Sequence, residues 1–498
     1  MQKDCHYYGT YYMATQAGFS HEEAEKIAWA AQSVDEMTHD VVESLRDKAV
    51  ELQRDSDKSK DVETLKREYT ERDYNVVTTH NFAFYLFQKE LTRLDTLLQM
   101  SKQIESVWSV FHFMPANLSN RELNLKNRKT EIDGIKIEEN DPNFVEKKYT
   151  KDLKMICKPS STLANQVSQF VLNCVKEKAT SGSEYSDEVL YTIGIFMHVI
   201  ADTWSHQDFC GSNDMLVNHG IIVENGEKKS SKPDWGQIVI GNIAWKSSEI
   251  FNETNTDTLF RCFSAIWTGH GSSGSYPDIP GKTYTYIPDY TNTAITVNNP
   301  KRYRIAFTQM FYIMQALREK REYTISSDVV PPDFVEKAAE TCFTDGSEDD
   351  RCKLWDDFLD NKLKKYDKDD KNANPRIFLN CAHEYRNFTL EKIAKEIIGE
   401  NDYYKDVENL TIKELMSSTF EETVEALGVL TQYVAENGIV PVQERIEYNL
   451  DKLEEAWDKG MLNLFDDLSG KVNLWDNLSH DMYLQDAIHG KIESLFRQ

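Results

Sequence analysis

Three residues with metal-binding side chains, His198, Asp202 and His206, are spaced four residues apart in a segment whose pattern predicts an α-helix. At about 100° per residue, Asp202 and His206 lie about 40° and 80° around the helix from His198, so all three project from one face. Helices hold divalent ions with ligands at such spacings. The flanking residues are apolar and predict a buried helix, where unpaired His and Asp are costly. The segment therefore predicts either a metal site or two core histidines that share a carboxylate.

Further histidines and aspartates in distinctive settings extend the candidate ligand set. They are His6, Asp35, His80, His112, His270 and Asp278. His112 stands between Phe111 and Phe113, a setting that is also typical of a core histidine with one hydrogen bond. His270 and Asp278 share a Gly- and Pro-rich segment, which predicts a loop. A shell of nitrogen and oxygen atoms suits zinc, manganese or iron, and catalytic sites leave a ligand position open for water.

The overall charge limits the classes of partner. The chain has 498 residues, with 83 acidic and 57 basic side chains and a formal net charge of -26. This charge argues against bulk binding to nucleic acid or to an anionic membrane, since both need a basic surface. A local cluster of divalent ions could still accept an anionic substrate, because the ions would be the dominant local charges.

The cysteines and the apolar segments bear on the compartment. Eight cysteines are scattered without a Cys-x-x-Cys pair, which fits reduced thiols better than disulfides or a cysteine zinc site. The segment that starts at Met1 lacks the apolar core of a secretory signal, and no apolar run approaches the length of a membrane span. With Met1 as the native start, we expect a cytoplasmic protein with no membrane span.

Helical patterns dominate the chain, so we predict an all-α fold with a few short strands in loops. Residues 8–53 read as two helices separated at 18–20, where Ser20 and Glu23 form a capping box. Helices are also predicted over 82–100, 104–114, 161–178 and 186–206. Short strands are expected at 221–223 and 237–240, with a hairpin tip at 224–227.

Two regions are expected from composition. Residues 1–327 would form a helical metal-site domain, with a polar, acidic surface insertion over about 117–159 that contains a turn at Asp133-Gly134. Residues 328–498 would form an acidic, mostly helical C-terminal region, with helices at 350–366, 389–398, 411–437, 442–459 and 482–496. Its histidines, His383, His480 and His489, are isolated, so we expect no metal ligand there and a role in covering the core or binding a protein partner.

The His198-x-x-x-Asp202-Thr-Trp-Ser-His206 segment resembles the signature of the zinc-dependent phospholipase C superfamily, which includes single-strand-specific nucleases. Other segments more closely resemble an uncharacterised bacterial family of unknown function. They are the Asp4-x-His6-Tyr-Tyr-Gly start, the Gly18-Phe19-Ser20 helix entry, Ser33-Val34-Asp35, Phe111-His112-Phe113-Met114-Pro115, and Gly269-His270-Gly271 with Tyr276-Pro277-Asp278. The combined resemblance covers about residues 4–315.

The superfamily resemblance implies an all-α fold with one to three zinc ions that activate water against a phosphoester of a small molecule, lipid or nucleotide. It implies that His198, Asp202 and His206 form the central ligand helix, with Asp202 bridging two ions. His6 and Asp35 would match an early His and Asp, and His80 or His112 a further histidine. Secreted members of the superfamily use the free amine of a mature N-terminal tryptophan as a ligand; here Met1-Gln2-Lys3 precede any candidate, and Asp4 could stand in for the amine. His270 and Asp278 match the later ligand pair less closely.

The expected chemistry is hydrolysis by metal-activated water, with Asp35 or Asp4 as the proton acceptor. Two alternatives stay open. The dipeptide His39-Asp40 would serve an HD-type phosphohydrolase, and a helical interaction protein would use the ions only structurally. A structural site is closed, whereas a catalytic site keeps a position for exchangeable water.

Overall fold

The chain is mainly helical in the computed structural model, which confirms the predicted all-α class. The structure describes residues 1–38, 41–42, 79, 105–117, 131–132, 135–136, 154–178, 185–212, 215–218, 220–224, 227–228, 269–270, 273, 275–288, 294–370 and 372–401. The α-helices are α1 (Thr10–Gln16), α2 (His21–Glu36), α3 (Thr162–Lys178), α4 (Asp187–Ser205), α5 (Met215–Asn218), α6 (Asn299–Arg318), α7 (Asp333–Cys342), α8 (Glu348–Phe358) and α9 (Pro375–Lys392). A helical segment covers 105–111, and π-helices cover Asp4–Gly9 and Ile393–Ile398.

Helix α4 is the centre of the core. Every residue from Val189 to Ser205 is buried, as expected for a helix that is apolar on all sides. Helices α2, α3, α6 and α9 pack around it. The ligand candidates on α4 are therefore surrounded by protein, and only the packing of neighbouring segments determines what they face.

The close approach of α2 and α4 depends on Gly194. A Cβ atom at this position would lie 2.4 Å from the carbonyl oxygen of Ile27 and 2.7 Å from the Cβ of Ala30. A larger side chain would therefore push the two helices apart. This contact brings the C-terminal end of α2 next to the ligand face of α4.

Helix α2 begins as the sequence predicts and ends earlier. Ser20 is its N-cap, and Ser20 and Glu23 form the reciprocal hydrogen bonds of a capping box. The helix ends at Glu36 because Met37 leaves the helical conformation, with φ -80° and ψ 65°. The expectation that helix continues to residue 53 is wrong at this point, although most of 39–53 lies outside the described residues.

The strands are short and antiparallel. They are β1 (Glu131–Ile132), β2 (Ile135–Lys136), β3 (Gly220–Glu224), β4 (Glu227–Lys228), β5 (Thr283–Pro288) and β6 (Ile295–Asn298). β1 pairs with β2 around the predicted Asp133-Gly134 turn, and β3 pairs with β4 around the predicted 224–227 tip. The larger sheet has the order β4-β3-β5-β6. The strand expected at 237–240 lies outside the described residues, as does the helix at 82–100.

The end of the predicted surface insertion belongs to the core. Met155, Ile156 and Cys157 are buried, and isolated bridges join Cys157 to Pro115 and Ile156 to Cys210. The surface prediction is therefore wrong for these residues. They are apolar, and the bridges pair them with the chain just after His112 and just after His206.

The described part of the C-terminal region packs into the same hydrophobic cluster as α2 and α4. Helix α8 ends at Phe358 rather than Tyr366, because Asp360 and Asn361 adopt left-handed φ values of 55° and 54°. The helix expected at 389–398 begins at Pro375 and ends as a π-helix. The helices expected after residue 401 lie outside the described residues.

Among the helices that the structure describes, none combines the length and apolar character required to cross a membrane.

Candidate metal centre

Five separate segments bring ligand candidates to one place. The π-helix at Asp4–Gly9 carries His6, the C-terminal end of α2 carries Asp35, and His112 follows the helical segment 105–111. Helix α4 carries His198 and Asp202, and His206 is its C-cap. The Gly- and Pro-rich loop supplies His270, and Asp278 ends a 3-10 turn over Tyr276–Asp278.

These residues form three adjoining groups in which the ligand atoms lie within 4.8 Å of one another. The groups are His6, His198 and Asp202; Asp35, His112 and His198; and His206, His270 and Asp278. Every predicted metal-ligand candidate except His80 belongs to a group, and His80 lies outside the described residues. No residue of the described part of 331–401 belongs to one.

Asp202 lies at the centre, and its two carboxylate oxygens face different neighbours. Oδ1 lies 3.1 Å from Nε2 of His6. Oδ2 lies 3.3 Å from Nδ1 of His112, 3.2 Å from Nε2 of His198 and 3.6 Å from Nδ1 of His206. The two oxygens therefore contact different histidines of the cluster.

Backbone carbonyls orient three of the histidines. His198 Nδ1 donates to the carbonyl oxygen of Ala31 at 2.9 Å, and His112 Nε2 donates to that of Thr79 at 2.8 Å. His206 Nδ1 donates to the carbonyl oxygen of His112 at 2.8 Å. In the neutral imidazole the other nitrogen then carries a lone pair. These nitrogens are His198 Nε2, His112 Nδ1 and His206 Nε2, and each faces a carboxylate of the cluster. Metal-binding histidines are usually fixed in this way by their second nitrogen.

The ring of His6 has no hydrogen bond to any described residue. Both of its nitrogens are fully buried, and the ring stacks on that of His198 with centroids 3.8 Å apart. Nε2 lies 3.1 Å from Asp202 Oδ1 and 3.9 Å from Asp35 Oδ2, outside hydrogen-bond geometry. A buried imidazole without a hydrogen bond is costly unless another group binds it.

The α-amino group of Met1 lies in the same cluster. It is 2.5 Å from Asp202 Oδ1, 3.2 Å from Asp278 Oδ1 and 3.4 Å from His206 Nε2. Burial lowers the pKa of this amine, but Asp202, Asp278 and Asp35 outweigh burial and raise it to about 11. The electrostatic field between the two carboxylates therefore favours a cation.

The group of His206, His270 and Asp278 lies beside the four-stranded sheet. Asp278 Oδ1 lies 3.1 Å from His206 Nε2, and Oδ2 lies 3.2 Å from His270 Nε2. Phe113 stacks on His206 with centroids 4.5 Å apart. Gly269, with φ +62°, lets the loop pass over Phe113, since a Cβ there would lie 2.1 Å from the ring.

The ionisation of the cluster follows from burial and mutual charge. Burial alone would raise the pKa of Asp202, but His206, the amine and His198 outweigh it and hold this pKa well below its usual range. Burial, opposed by His112 and assisted by Asp202, raises the pKa of Asp35 to about 8. Burial lowers the pKa of His206 to about 4, against the opposite effect of Asp202. A neutral His206 is the form that binds metal ions.

The cluster is buried at its centre and partly exposed at two edges. The side chains of His6 and His198 are 0% exposed and that of Asp202 is 1% exposed. Asp35 is 24% exposed, and His270 and Asp278 are 18% and 12% exposed. The cluster is therefore less buried at the Asp35 edge and at the His270 edge than at its centre.

The structure does not bring Asp4 into the cluster. Its carboxylate is buried and accepts hydrogen bonds from Arg351 Nε at 2.9 Å and Nη2 at 3.2 Å. The stand-in role expected for Asp4 is wrong in this structure, because Asp4 is paired with Arg351 and belongs to none of the three groups. The guanidinium pairing also leaves Asp4 poorly placed to accept a proton from substrate or water.

Sequence reasoning did not identify several residues that shape the cluster. The carbonyls of Ala31 and Thr79 leave no residue-type signal, because every residue carries a carbonyl. The amine of Met1 gives no pattern either. Thr79 is adjacent to the predicted ligand His80, and its own hydroxyl donates to the carbonyl of Val34 at 2.7 Å. The dipeptide His39-Asp40 lies outside the described residues.

Residues 1–437 match a family of unknown function, DUF6765, and the chain belongs to this family. No curated protein matches the chain, and no solved structure matches it.

Proposed function

We propose that this member of DUF6765 is a metal-dependent hydrolase that acts on a phosphoester, and that the His and Asp cluster holds its metal ions. The observation that carries the proposal is the 3.3 Å separation of His112 Nδ1 and His198 Nε2. In their neutral forms the two rings face each other with lone pairs, because each ring donates through its second nitrogen to a carbonyl. Two such nitrogens need a shared cation, either a proton or a metal ion.

The surrounding atoms favour a metal ion over a proton. Asp202 Oδ2 lies within 3.3 Å of both nitrogens, and Asp35 Oδ1 lies 3.8 Å from each. Two nitrogens on one tetrahedral zinc at ~2.0–2.1 Å would be about 3.3 Å apart. A hydrogen bond uses one donor and one acceptor, whereas Asp35, His112 and His198 offer three ligand atoms within 4.8 Å of one another, which suits a metal ion.

The donor set fits zinc, with manganese or iron as alternatives, because it consists of imidazole nitrogens and carboxylate oxygens. Asp35, His112 and His198 would hold one ion, with Asp202 beside two of these ligands. His206, His270 and Asp278 would hold another. His6, whose buried ring has no hydrogen bond among the described residues, would complete a third position with Asp202.

A divalent ion in such a cluster acidifies water and offsets the charge of phosphoryl oxygens. The chain's own groups would supply orientation and proton transfer. Asp35 is the most exposed of the candidate ligands, and its carboxylate would accept the proton of the attacking water. Asp202 would hold the histidines in place, and the partly exposed His270 would lie beside the substrate.

The alternative is a structural metal site in a helical interaction protein. The closed centre of the cluster is compatible with this role, but the exposed edges at Asp35 and His270 favour a position open to water. Whether the C-terminal helices bind a protein partner stays a prediction.

The test compares hydrolysis of bis(4-nitrophenyl) phosphate, a diester, with that of 4-nitrophenyl phosphate, a monoester. The protein would be stripped with a chelator and reloaded with zinc, manganese or iron(II). We expect activity on one ester class that follows the metal content and is lost in Asp35→Asn. A fully loaded protein with no activity on either ester would contradict hydrolysis of these probes and favour the structural role.

A further inference from the structure

We infer that Arg351, on a C-terminal helix, is a positioning residue for the metal centre, because it holds the N-terminal turn that carries His6. The inference rests on the proposed function, since it concerns the same ligand cluster. Arg351 lies on α8 and is 1% exposed. It would touch neither substrate nor metal and would act through His6.

The guanidinium of Arg351 donates four hydrogen bonds, three to the N-terminal segment and one to its own loop. Nε and Nη2 donate to the two oxygens of Asp4, in the bidentate geometry that Arg forms with carboxylates. Nη2 also donates to the side-chain oxygen of Gln2, and Nη1 donates to the carbonyl of Gly346. A second ion pair, Lys3 with Glu348 at 3.4 Å, joins the same two elements.

The contact at Gln2 leads directly to His6. The carbonyl oxygen of Gln2 accepts hydrogen bonds from the backbone N–H groups of Cys5 and His6, each at 2.9 Å. Asp4 is the first residue of the π-helix that contains His6. Arg351 therefore binds the side chain of Gln2, which precedes this turn, and that of Asp4, the first residue of the turn.

His6 depends on this backbone support more than the other histidines do. The rings of His112, His198 and His206 are each fixed by a hydrogen bond to a carbonyl. The ring of His6 has no such bond among the described residues. Its position relative to Asp202 is therefore set by its backbone and by stacking on His198.

The experiment measures the zinc Kd of the full-length protein by competition with a chromogenic chelator. Arg351→Met removes the hydrogen bonds, and Arg351→Lys keeps the charge without the fork. Trp355→Leu is the matched control, because Trp355 lies on the same helix, is fully buried and packs on Phe307. This control destabilises the same helix and leaves the contacts of Arg351 in place.

We expect Arg351→Met to raise the zinc Kd by about 10- to 100-fold, as the loss of supporting groups around metal ligands does. Arg351→Lys should raise it less. Trp355→Leu should lower the Tm and leave the Kd unchanged. In a His6→Ala background, Arg351→Met should cause no further rise, because both changes act on one ligand.

A wild-type Kd in a folded Arg351→Met or Arg351→Lys protein would overturn the inference. So would an equal rise in Trp355→Leu, or additive effects of Arg351→Met and His6→Ala. These results would leave the proposed function intact, since the wild-type protein would still bind zinc. A wild-type protein that binds no zinc would overturn both.

Discussion

Nδ1 of His112 and Nε2 of His198 lie 3.3 Å apart, and each ring is fixed by a hydrogen bond from its other nitrogen to a backbone carbonyl. Such an arrangement places two lone pairs opposite each other in a buried site beside Asp202. A shared cation would relieve this contact, and the neighbouring carboxylates provide the negative charge that favours one.

Asp202→Asn should lower the metal content and abolish hydrolysis, because a neutral amide cannot hold two cations together. The control is Asp208→Asn, the same chemical change at a buried carboxylate six positions along the chain. Asp208 is paired with Lys158 and Arg302 and belongs to none of the three groups. Its substitution should lower the Tm and leave the metal content unchanged. Elemental analysis measures the metal content, and calorimetry measures the Tm. Full metal occupancy in Asp202→Asn would remove this residue from the site.

Metal binding at pH 7 should release about one proton more from the wild-type chain than from Asp35→Asn. In the metal-free chain the pKa of Asp35 is raised from 3.8 to about 8, so its carboxyl is mostly protonated at pH 7. A bound ion requires the carboxylate and displaces this proton. At pH 9 the difference should vanish, because Asp35 is already ionised.

Titration calorimetry in two buffers with different ionisation enthalpies measures this proton release. The same raised pKa means that Asp35 stabilises the metal-free fold at low pH and that this contribution is lost as the pH rises through about 8. Equal proton release by wild type and Asp35→Asn at pH 7 would show that Asp35 does not bind the ion.

Gly194→Ala should destabilise the fold by about 1–3 kcal/mol and weaken metal binding. The added methyl would meet the carbonyl of Ile27 on α2 and push α2 away from α4. This shift would disturb both Asp35 and the Ala31 carbonyl that orients His198. Gly346→Ala is the control, because its Cβ would meet no atom closer than 3.5 Å. A Gly194→Ala protein with the wild-type zinc Kd would contradict the proposed dependence on helix packing.

Removal of the metal should lower the Tm by more than the loss of a peripheral ion would. The candidate ligands come from five segments, as distant along the chain as His6 and Asp278, and an ion that binds only the folded state stabilises it by mass action. At a free metal concentration 100 times the Kd, this stabilisation is about 2.7 kcal/mol per ion. Calorimetry before and after treatment with a strong chelator gives the difference. An unchanged Tm in a sample shown to be metal-free would contradict this prediction.

Local sequence patterns predicted the parts of the structure that depend on neighbours in the chain. The capping box at Ser20, the ligand face of α4 and the hairpin tip at 224–227 follow from spacing and side-chain type. The grouping of His6 and Asp35 with α4 came from a resemblance of motifs and agrees with the geometry.

Long-range contacts could not be predicted in this way. Nothing local to Arg351 indicates that it binds Asp4, 347 positions away. Nothing in the polar stretch around Met155 and Ile156 indicates that these two residues are buried. The end of α8 at Phe358 depends on left-handed φ values at Asp360 and Asn361, which a helical hydrophobic pattern does not reveal.

The number and identity of metal ions bound per chain test the central claim most directly. Elemental analysis would be applied to protein purified without chelator, and again after chelation and dialysis against zinc, manganese or iron(II). We predict one to three ions per wild-type chain, with zinc retained most tightly, and a lower count in Asp202→Asn. A wild-type chain that is folded, carries no stoichiometric metal and takes up none of the three ions would contradict the account. The cation shared by His112 and His198 would then be a proton.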